Sequence, residues 1–410
     1  MILGLDLSDK NSQLSYVDKS EQTPVVAELK NAVTRLRCVP SLLAMEREIG
    51  IWYYGTEAQE QLRLGNALAA DRLIERAAHR ESIELEGKSF LASELLLLFV
   101  RKLLEDFIKE KGGFKEEDRL CVCFDRELEE LSEVMELFKE EFKGVTLNFI
   151  SRNESFYQYM IHQKAELWHQ YVVILEYEKD AVLERSFYVN RNTRPMVCSV
   201  NVRESRQENI GSDENFLAYC SDSMDGRIVT SVYMLGEEGS VEKLKKTVGF
   251  LCSKRRVFQG GNLYSRGACY AALELAKDKG QPKKYIFLGK DKLKSNVSLQ
   301  LVRGREEIRE TLVDAGVNWY DVKAGLQLYL GEERELRLLL TPISGKNEYY
   351  RVVRLGSFPE REKHTTRVMV DITMSAPDEL LVRVEDLGFG SYFKSSKKIV
   401  EEKIKIREDM

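Results

Sequence analysis

Residues 1–18 read MILGLDLSDKNSQLSYVD, and the interpretation of the whole chain starts from this stretch. An apolar run rich in β-forming residues ends at Asp6, and the polar turn Ser8–Ser12 follows it. The chain is apolar again over Leu14–Val17. Period-two patterning on both sides of a tight polar turn predicts a β-hairpin with an acidic residue at the end of its first strand.

This opening resembles that of the actin-fold ATPases, and more narrowly that of the DnaK-type seventy-kilodalton heat-shock chaperones, which begin with a hairpin of the form IGIDLGTTNS. The residues that agree with that pattern are Gly4, Asp6, Leu7, Asn11 and Ser12. Ser8-Asp9-Lys10 stand in place of the family's Gly-Thr-Thr. The resemblance implies an α/β body of the actin-like (ribonuclease-H-like) type, with two lobes around a nucleotide cleft.

Composition bounds the classes of protein to which the chain can belong. With 410 residues, 43% of them hydrophobic and 31% charged, the chain is long enough for two or three domains with sizeable cores. The formal net charge of -5 argues against a general nucleic-acid binder. No apolar run is long enough to span a bilayer, and no secretory signal can be recognised at the start, so we expect a cytoplasmic protein without a membrane partner. The seven scattered cysteines fit reduced thiols.

The resemblance implies a set of nucleotide-binding residues. In the first hairpin they are Asp6, Ser8 and Asn11, and Asp6 is also the candidate ligand for Mg²⁺. In a later strand–turn–helix unit they are Gly236, Gly239 and Ser240, where the family has the adenosine loop VGGSTRIPKV and this chain has one glycine replaced by Glu237. The implied cofactor is ATP or ADP with Mg²⁺.

The candidate catalytic residues are Asp6 and Glu154. Asn153-Glu154 stand where the family writes the Asn-Glu of INEPTAAAIAY, whose carboxylate approaches the attacking water and the metal. An Asn-Glu pair at a strand–helix junction is more often a helix cap or a surface pair, so both interpretations stay open.

Two departures from the family pattern argue against ordinary ATP hydrolysis. Asp71 stands where the family has a lysine that assists hydrolysis, so a cation near the γ-phosphate becomes an anion. The second phosphate loop, DLGGGTFD in the family, is replaced by the glycine-free run Leu175–Val182. Glycines are needed in such a loop because its backbone N–H groups must close on phosphate oxygens.

The same comparison predicts the domain organisation. Residues 1–277 form the abbreviated nucleotide-binding-like body, which lacks one subdomain of the second lobe. A charged linker over residues 277–284 follows it, and residues 285–395 read as an all-β sandwich that resembles the chaperones' peptide-binding domain, most clearly at Leu355–Phe358 and Glu385–Gly388. A helical or loop insertion is expected at Arg305–Leu312, and residues 396–410 are expected to be a charged tail or solvated helix.

Three functions remain open at this point. The first is a chaperone-like protein with a degenerate nucleotide site, a pseudo-ATPase that acts by binding a protein or peptide partner. The second is an ATP- or ADP-binding switch with altered phosphate loops and little hydrolysis. The third is a structural or assembly component. The degenerate motifs argue against an enzyme, and because no polymer interface can be recognised in the sequence, a monomer is favoured.

Overall fold

A computed structural model describes residues 1–17, 23–31, 34–236, 239–275, 284–331, 333–345 and 347–406. The chain divides into two compact units. The first comprises Met1–Tyr188 and Val200–Gln281, and the second comprises Val189–Ser199 and Pro282–Met410. The first unit is mixed α/β and the second is built from β-strands.

Among the described residues, the first unit contains two large sheets, on which helices pack, and three small sheets of two or three strands. In chain order, the strands up to residue 259 are β1 (Ile2–Leu7), β2 (Asn11–Val17), β3 (Val25–Val26), β4 (Leu29–Asn31), β5 (Thr34–Leu36), β6 (Val39–Pro40), β7 (Leu43–Glu46), β8 (Trp52–Tyr54), β9 (Ala67–Ala70), β10 (Ser82–Leu85), β11 (Lys88–Leu91), β12 (Arg119–Phe124), β13 (Thr146–Ser151), β14 (Tyr171–Tyr177), β15 (Ala181–Asn190), β16 (Met196–Arg206), β17 (Val229–Leu235) and β18 (Arg256–Gln259). The helices are α1 (Gly55–Arg63), α2 (Leu73–Ala78), α3 (Ala92–Glu110), α4 (Ser132–Glu141), α5 (Arg152–Ile161), α6 (Asp213–Ser223), α7 (Lys245–Cys252) and α8 (Leu263–Glu274).

The predicted N-terminal hairpin is confirmed, and it lies at the centre of the first sheet. Strand β1 pairs antiparallel with β2, so that Asp6 lies opposite Gln13, and it pairs parallel with β12, so that Asp6 lies beside Cys123. The order along this sheet is β13-β12-β1-β2-β3. The leucines of β1 are fully buried because helices cover the sheet, which explains why this strand is so apolar.

The second sheet repeats this plan. A second hairpin, β14 with β15, pairs antiparallel, and β17 and β18 add to it in parallel, which gives the order β18-β17-β14-β15-β16. In each sheet the first two strands in the chain form a hairpin. On the other side of the hairpin's first strand, two further strands add in parallel. This duplicated topology brings the carboxyl ends of β1 and β14 to the same region of the unit, where their side chains interact.

Helix α8 packs directly on β1, and small residues allow the close approach. A Cβ at Gly4 would lie 2.1 Å from the backbone nitrogen of Cys269 in α8. A Cβ at Gly267 would lie 2.1 Å from the carbonyl oxygen of Ser155 in α5. The small residues of Arg266–Ala272 in α8 thus let two helices and a strand pack at backbone contact.

The second unit contains a sandwich of two four-stranded sheets. A short strand, β19 (Tyr285–Phe287), lies outside these two sheets and pairs in parallel with Met196–Cys198 of β16. The strands of the sandwich are β20 (Ser295–Arg303), β21 (Glu306–Val313), β22 (Ala324–Tyr329), β23 (Glu335–Pro342), β24 (Tyr349–Arg354), β25 (Arg367–Ala376), β26 (Glu379–Gly388) and β27 (Ile399–Lys405). One sheet has the order β21-β20-β23-β24 and the other β22-β25-β26-β27. Alternate side chains of both sheets form one buried apolar core, and this core holds the sandwich together.

The structure corrects two of the sequence expectations. Arg305–Leu312 was expected as a helical or loop insertion, but it lies largely in strand β21, paired with β20. The charged tail predicted for residues 396–410 contains strand β27, which pairs with β26 along its whole length. Charged residues led to the wrong prediction in both places, because an edge strand can carry charges on its exposed face.

Some expectations fall on parts of the chain that the structure does not describe. They are the linker at residues 277–283, the glycine replacement at Glu237, and the last residues of the predicted tail, 407–410. Among the described residues, no helix combines the length and the apolar character that crossing a membrane requires.

Candidate functional site

The centre of the candidate site is an ion pair between Asp6 and Arg152. Asp6 is the next-to-last residue of β1, and Arg152 is the first residue of α5, directly after β13. Arg152 donates from Nε to Oδ1 of Asp6 at 3.3 Å and from Nη2 to Oδ2 at 3.2 Å. The Asp6 side chain is 10% exposed and the Arg152 side chain is 15% exposed, so this bidentate contact lies largely out of water.

The same guanidinium reaches the second hairpin. Arg152 Nη1 lies 3.4 Å from Oε2 of Glu176 on β14, and Arg185 on β15 also pairs with this carboxylate. Tyr264 donates its hydroxyl to Oε1 of Glu176 at 2.6 Å, and Arg152 stacks on the Tyr264 ring at 4.7 Å. Two carboxylates, one from each hairpin, thus share a central arginine.

Burial and charge act in opposite directions on Arg152. Burial disfavours its charged form, but Asp6 and then Asp125 outweigh burial and raise the pKa of the guanidinium. It therefore stays a permanent cation at every physiological pH. Asp125 lies just after β12, and burial raises its pKa to about 6 in spite of the favourable field of Arg152. Its Oδ1 atom is buried without a hydrogen-bond partner in the described part of the chain.

The turn of the first hairpin is closed by its own side chains. Ser8 donates its hydroxyl to the carbonyl of Asn11 at 2.8 Å, and the Asn11 N–H returns to Ser8 Oγ at 3.2 Å. Asp9 accepts from the N–H groups of Ile74 and Glu75, at 2.8 and 3.2 Å for the closest contacts, and so caps the start of α2. A carboxylate thus occupies this helix N-terminus, one of the places where phosphates commonly bind.

Asp71 and Glu154 do not join the Asp6 cluster in any described contact. Asp71 is exposed on the surface, and its nearest charged partner is Arg76 at 3.9 Å. Glu154 occupies the third position of α5, and its N–H donates to the N-cap Ser151 Oγ at 3.3 Å. Ser151-x-x-Glu154 matches the sequence pattern of a helix capping box, which favours the cap interpretation of this residue. Its neighbour Asn153 accepts from Arg185 Nε at 3.1 Å.

The second hairpin has no open loop that could cradle phosphates. Gly211 packs against its turn so closely that a Cβ there would lie 2.3 Å from the carbonyl oxygen of Glu178. Asp180 accepts from the N–H of Asn209 at 2.7 Å, and the Gly211 N–H donates to Lys179 O at 2.9 Å. The backbone and side-chain groups of the turn are thus engaged by residues 207–211. Lys10 of the first hairpin forms a salt bridge with Glu178, which joins the two turns directly.

Gly236, Gly239 and Ser240 lie together at the end of β17, and a tyrosine fills the space beside them. Tyr177 donates to or accepts from Ser240 Oγ at 2.8 Å, and a Cβ at Gly236 would lie 2.4 Å from the Tyr177 ring. The Tyr177 side chain is 6% exposed and packs on Phe216 at 5.0 Å. Gly239 has φ +75°, which favours glycine for its backbone conformation.

The residues of this cluster do not fit Mg²⁺ with a nucleotide polyphosphate. A metal would need the oxygens of Asp6 or Glu176, and both carboxylates already pair with arginines that would repel it. The described residues contain no group of three or more His, Cys, Asp or Glu side chains with the geometry to hold a metal. What the arrangement can do is hold the two hairpins together through buried charge pairs.

The sequence did not predict the residues that form most of the contacts in the site. Arg152, Arg185, Tyr177 and Tyr264 carry the contacts, whereas the sequence pointed to Asp6 and its turn. One signal was available: Glu176, Glu184 and Arg185 interrupt otherwise apolar strands, and buried charges require partners. This signal did not indicate which arginine would form an ion pair with which carboxylate.

Comparison with known proteins adds a classification. No curated protein matches the chain. Residues 292–406 match a domain of unknown function, DUF8552, which spans the β-sandwich. Residues 30–290, more than half of the chain, match the model described as family of unknown function (DUF5716) C-terminal. The chain belongs to this DUF5716 C-terminal family.

Proposed function

We propose that this protein is a chaperone-like binding protein with a degenerate nucleotide site. Its α/β body is a pseudo-ATPase of the actin-like type, and it acts by binding a protein or peptide partner rather than by hydrolysis. The proposed location is the cytoplasm.

One observation carries the proposal: the guanidinium of Arg152 lies between Asp6 and Glu176. In this account a fixed cation from the chain itself neutralises the two carboxylates that a metal would otherwise bridge. Such a cation cannot leave with a product, so the charge of the site does not change in a catalytic cycle. An α/β unit whose site keeps the same charge has no nucleotide-dependent change of state, so it suits a fixed binding scaffold better than a nucleotide-driven switch.

The actin-like assignment has its own support. The two sheets of the first unit share one strand order, each opened by a hairpin. Two similar lobes are what the resemblance to the heat-shock family implies. The closed turns at Ser8–Asn11 and around Glu178, and the tyrosine beside Gly236, are then the places where the ancestral phosphate and adenosine contacts would have been replaced.

A second candidate, the ATP- or ADP-binding switch, is favoured by Asp125. This buried carboxyl lies near Arg152 and has an oxygen without a hydrogen-bond partner among the described residues. A buried unsatisfied oxygen is costly and invites a donor such as a protonated group or a bound water. A ligand that supplied that donor would favour the switch.

The test is a titration with ATP and ADP, with and without Mg²⁺, followed by thermal unfolding and calorimetry. Wild type is compared with Asp6→Ala and with Arg152→Gln. Because a ligand that binds only the native state must raise the melting temperature, the proposal expects no shift at millimolar nucleotide in wild type or in Asp6→Ala.

The controls distinguish loss of fold from loss of binding. Circular dichroism of each variant establishes that it is folded before the titration. A Mg²⁺-dependent shift in wild type that disappears in Asp6→Ala would contradict the pseudo-ATPase and establish the switch. A shift that appears only in Arg152→Gln would support the proposal further, since it would identify Arg152 as the group that excludes the nucleotide.

A further inference from the structure

The β-sandwich has one edge strand without charged residues. Strand β22, Ala324–Tyr329, reads AGLQLY and pairs only with β25, so its other edge has no strand partner in the described part of the chain. Ala324, Leu326 and Leu328 face the core, and Gly325, Gln327 and Tyr329 are exposed. The free N–H and C=O groups of such an edge can pair with another extended chain.

The other edge strands of the two sheets all contain charged residues. Strands β21 and β27, EEIRETLV and IVEEKIK, carry charges along their exposed faces, and the exposed face of β24, YYRVVR, carries Arg354 beside Tyr350 and Val352. Charges on an edge strand disfavour pairing with another chain. The contrast singles out β22 as the edge that is open to a partner strand.

An exposed aromatic cluster continues the line of this strand. The rings of Tyr329 and Phe389 lie 5.9 Å apart, and those of Phe389 and Tyr392 lie 6.4 Å apart. Tyr329 is 52% exposed and Tyr392 is 82% exposed. Large aromatic side chains on the surface are costly to leave in water and are enriched where proteins bind partners.

The surroundings of the cluster are basic. The loop between β26 and β27, residues 389–398, reads FGSYFKSSKK and contains no acidic residue. Lys394 and Lys397 are exposed, and neither ammonium group forms an ion pair with the described residues, whereas Lys398 donates to Ser357 O at 2.7 Å. Arg367 lies opposite Tyr329 in the β22–β25 register, on the same face, and its Nε atom has no hydrogen-bond partner among the described residues.

From these observations we propose that β22 and the adjoining loop 389–398 bind an extended acidic segment of a partner protein. The segment adds a strand to the free edge of β22 through main-chain hydrogen bonds. An apolar or aromatic side chain of the segment packs on Tyr329 and Tyr392, and its carboxylates pair with Lys394 and Lys397. The exposed lysines favour an acidic partner because opposite charges attract. The free edge of β22 favours a peptide over another polyanion because only a peptide has main-chain groups that can pair with a strand.

This inference rests on the proposed function, whose partner class it names. The probe is a fluorescein-labelled, end-blocked peptide of sequence Glu-Asp-Val-Thr-Val-Phe-Val-Thr-Asp-Glu, followed by fluorescence anisotropy with the full-length protein. We expect saturable binding that weakens as salt is raised, because exposed charge pairs are screened. Replacement of the probe's two threonines by proline, which removes main-chain donors, should weaken binding at least about tenfold.

Matched variants test the location. Tyr329→Ser and the double variant Lys394→Glu/Lys397→Glu should each weaken binding at least about tenfold. Two control variants should leave the affinity for the probe within about twofold of wild type. One is Tyr350→Ser, at a tyrosine that is 49% exposed on edge strand β24. The other is Lys143→Glu/Lys254→Glu, which changes the net charge by the same amount in the first unit. Far-ultraviolet circular dichroism and the melting temperature of each variant show that a loss is not unfolding.

The opposing outcomes are distinct. No binding by wild type, or equal binding by all variants, overturns the inference while leaving the nucleotide result untouched, so the proposed function is judged separately. Equal competition by a single-stranded oligonucleotide of the same charge would also overturn it, because the site would then recognise charge rather than a peptide strand. Self-association in sedimentation that is abolished by Tyr329→Ser would assign the edge to a second copy of this chain instead.

Discussion

Arg152 Nη2 lies 3.2 Å from Asp6 Oδ2, and this contact joins two residues that are 146 positions apart in the chain. It links the central strand of the first sheet to the start of α5, and through Glu176 it extends to the second hairpin. The stability of the first unit should therefore depend on this arginine far more than on any surface ion pair.

Arg152→Met should reduce the free energy of unfolding by about 3–5 kcal/mol, because it leaves the largely buried Asp6 without its counter-charge and leaves Glu176 paired with Arg185 alone. Urea denaturation followed by circular dichroism measures the change. Arg101→Met is the matched control, since Arg101 and Glu141 form an exposed pair at 2.6 Å whose loss should cost less than about 1 kcal/mol. Equal effects of the two substitutions would show that the Arg152 cluster contributes no more than a surface pair.

Asp125 should make the folded state less stable as pH rises from about 4 to about 7. Its pKa is about 6 in the folded protein, above the value near 3.9 of an unfolded chain, so the folded state binds the proton more tightly. Its contribution to stability is full below the unfolded pKa and is lost as pH passes through 6. Asp125→Asn cannot lose that proton and should gain about 2–3 kcal/mol relative to wild type at pH 7.

The measurement for Asp125 is the urea midpoint of wild type and Asp125→Asn at a series of pH values between 4 and 8. The two curves should converge in acid, separate between about pH 4 and about pH 7, and stay apart at higher pH. Parallel curves over the whole range would mean that Asp125 titrates no differently in the folded and unfolded chains.

Gly267→Ala and Gly249→Ala should have opposite signs, although both replace a glycine inside a helix. At Gly267 the new Cβ would lie 2.1 Å from the backbone oxygen of Ser155, so α5 and α8 must move apart, at a cost of about 1–3 kcal/mol or more. At Gly249 the space around the Cβ is open, and alanine should stabilise α7 by about 0.5–1 kcal/mol. Thermal and urea unfolding give both values, and a stabilised Gly267→Ala protein would refute the close helix crossing.

In the second unit, Asp386 should give the opposite pH dependence to Asp125. Asp386 is fully buried, but hydrogen bonds from Arg361, at 2.7 and 2.9 Å, and from the N–H groups of Ser396 and Gly388 outweigh burial and lower its pKa. Its contribution is therefore present above the unfolded pKa near 3.9 and is lost as the pH falls further. Asp386→Asn should cost about 3–5 kcal/mol at pH 7, where it leaves Arg361 buried and unpaired.

Acid titration separates this effect from a general loss of packing. The deficit of Asp386→Asn at pH 7 should shrink towards pH 2–3, because the unfolded wild-type chain there binds a proton at Asp386 that the folded state does not bind. Arg309→Gln, which breaks an exposed pair with Glu348, is the control and should change the unfolding free energy by less than about 1 kcal/mol. A deficit that stays constant with pH would show that the charge of Asp386 is not what stabilises the loop after β26.

The sequence by itself determined the elements that depend on local pattern. The hairpin at residues 2–17 follows from period-two alternation around Ser8–Asn11, and the β-sandwich follows from short apolar runs separated by turn residues. The sequence also located Asp6 near the end of the first strand. Each of these features is set by residues close together in the chain, so the pattern was sufficient.

Tertiary structure alone decided which charges meet. Arg152, Glu176 and Arg185 come from a helix start and two strands, and only the duplicated sheet topology brings them to one point. It also decided that charged segments at residues 306–313 and 399–405 become strands, because pairing with a neighbouring strand outweighs their weak local preference for any structure. Long-range pairing of charged side chains leaves no signal in the local sequence. An α/β part followed by a β-sandwich could therefore be predicted from local patterns, whereas the ion pairs of the site could not.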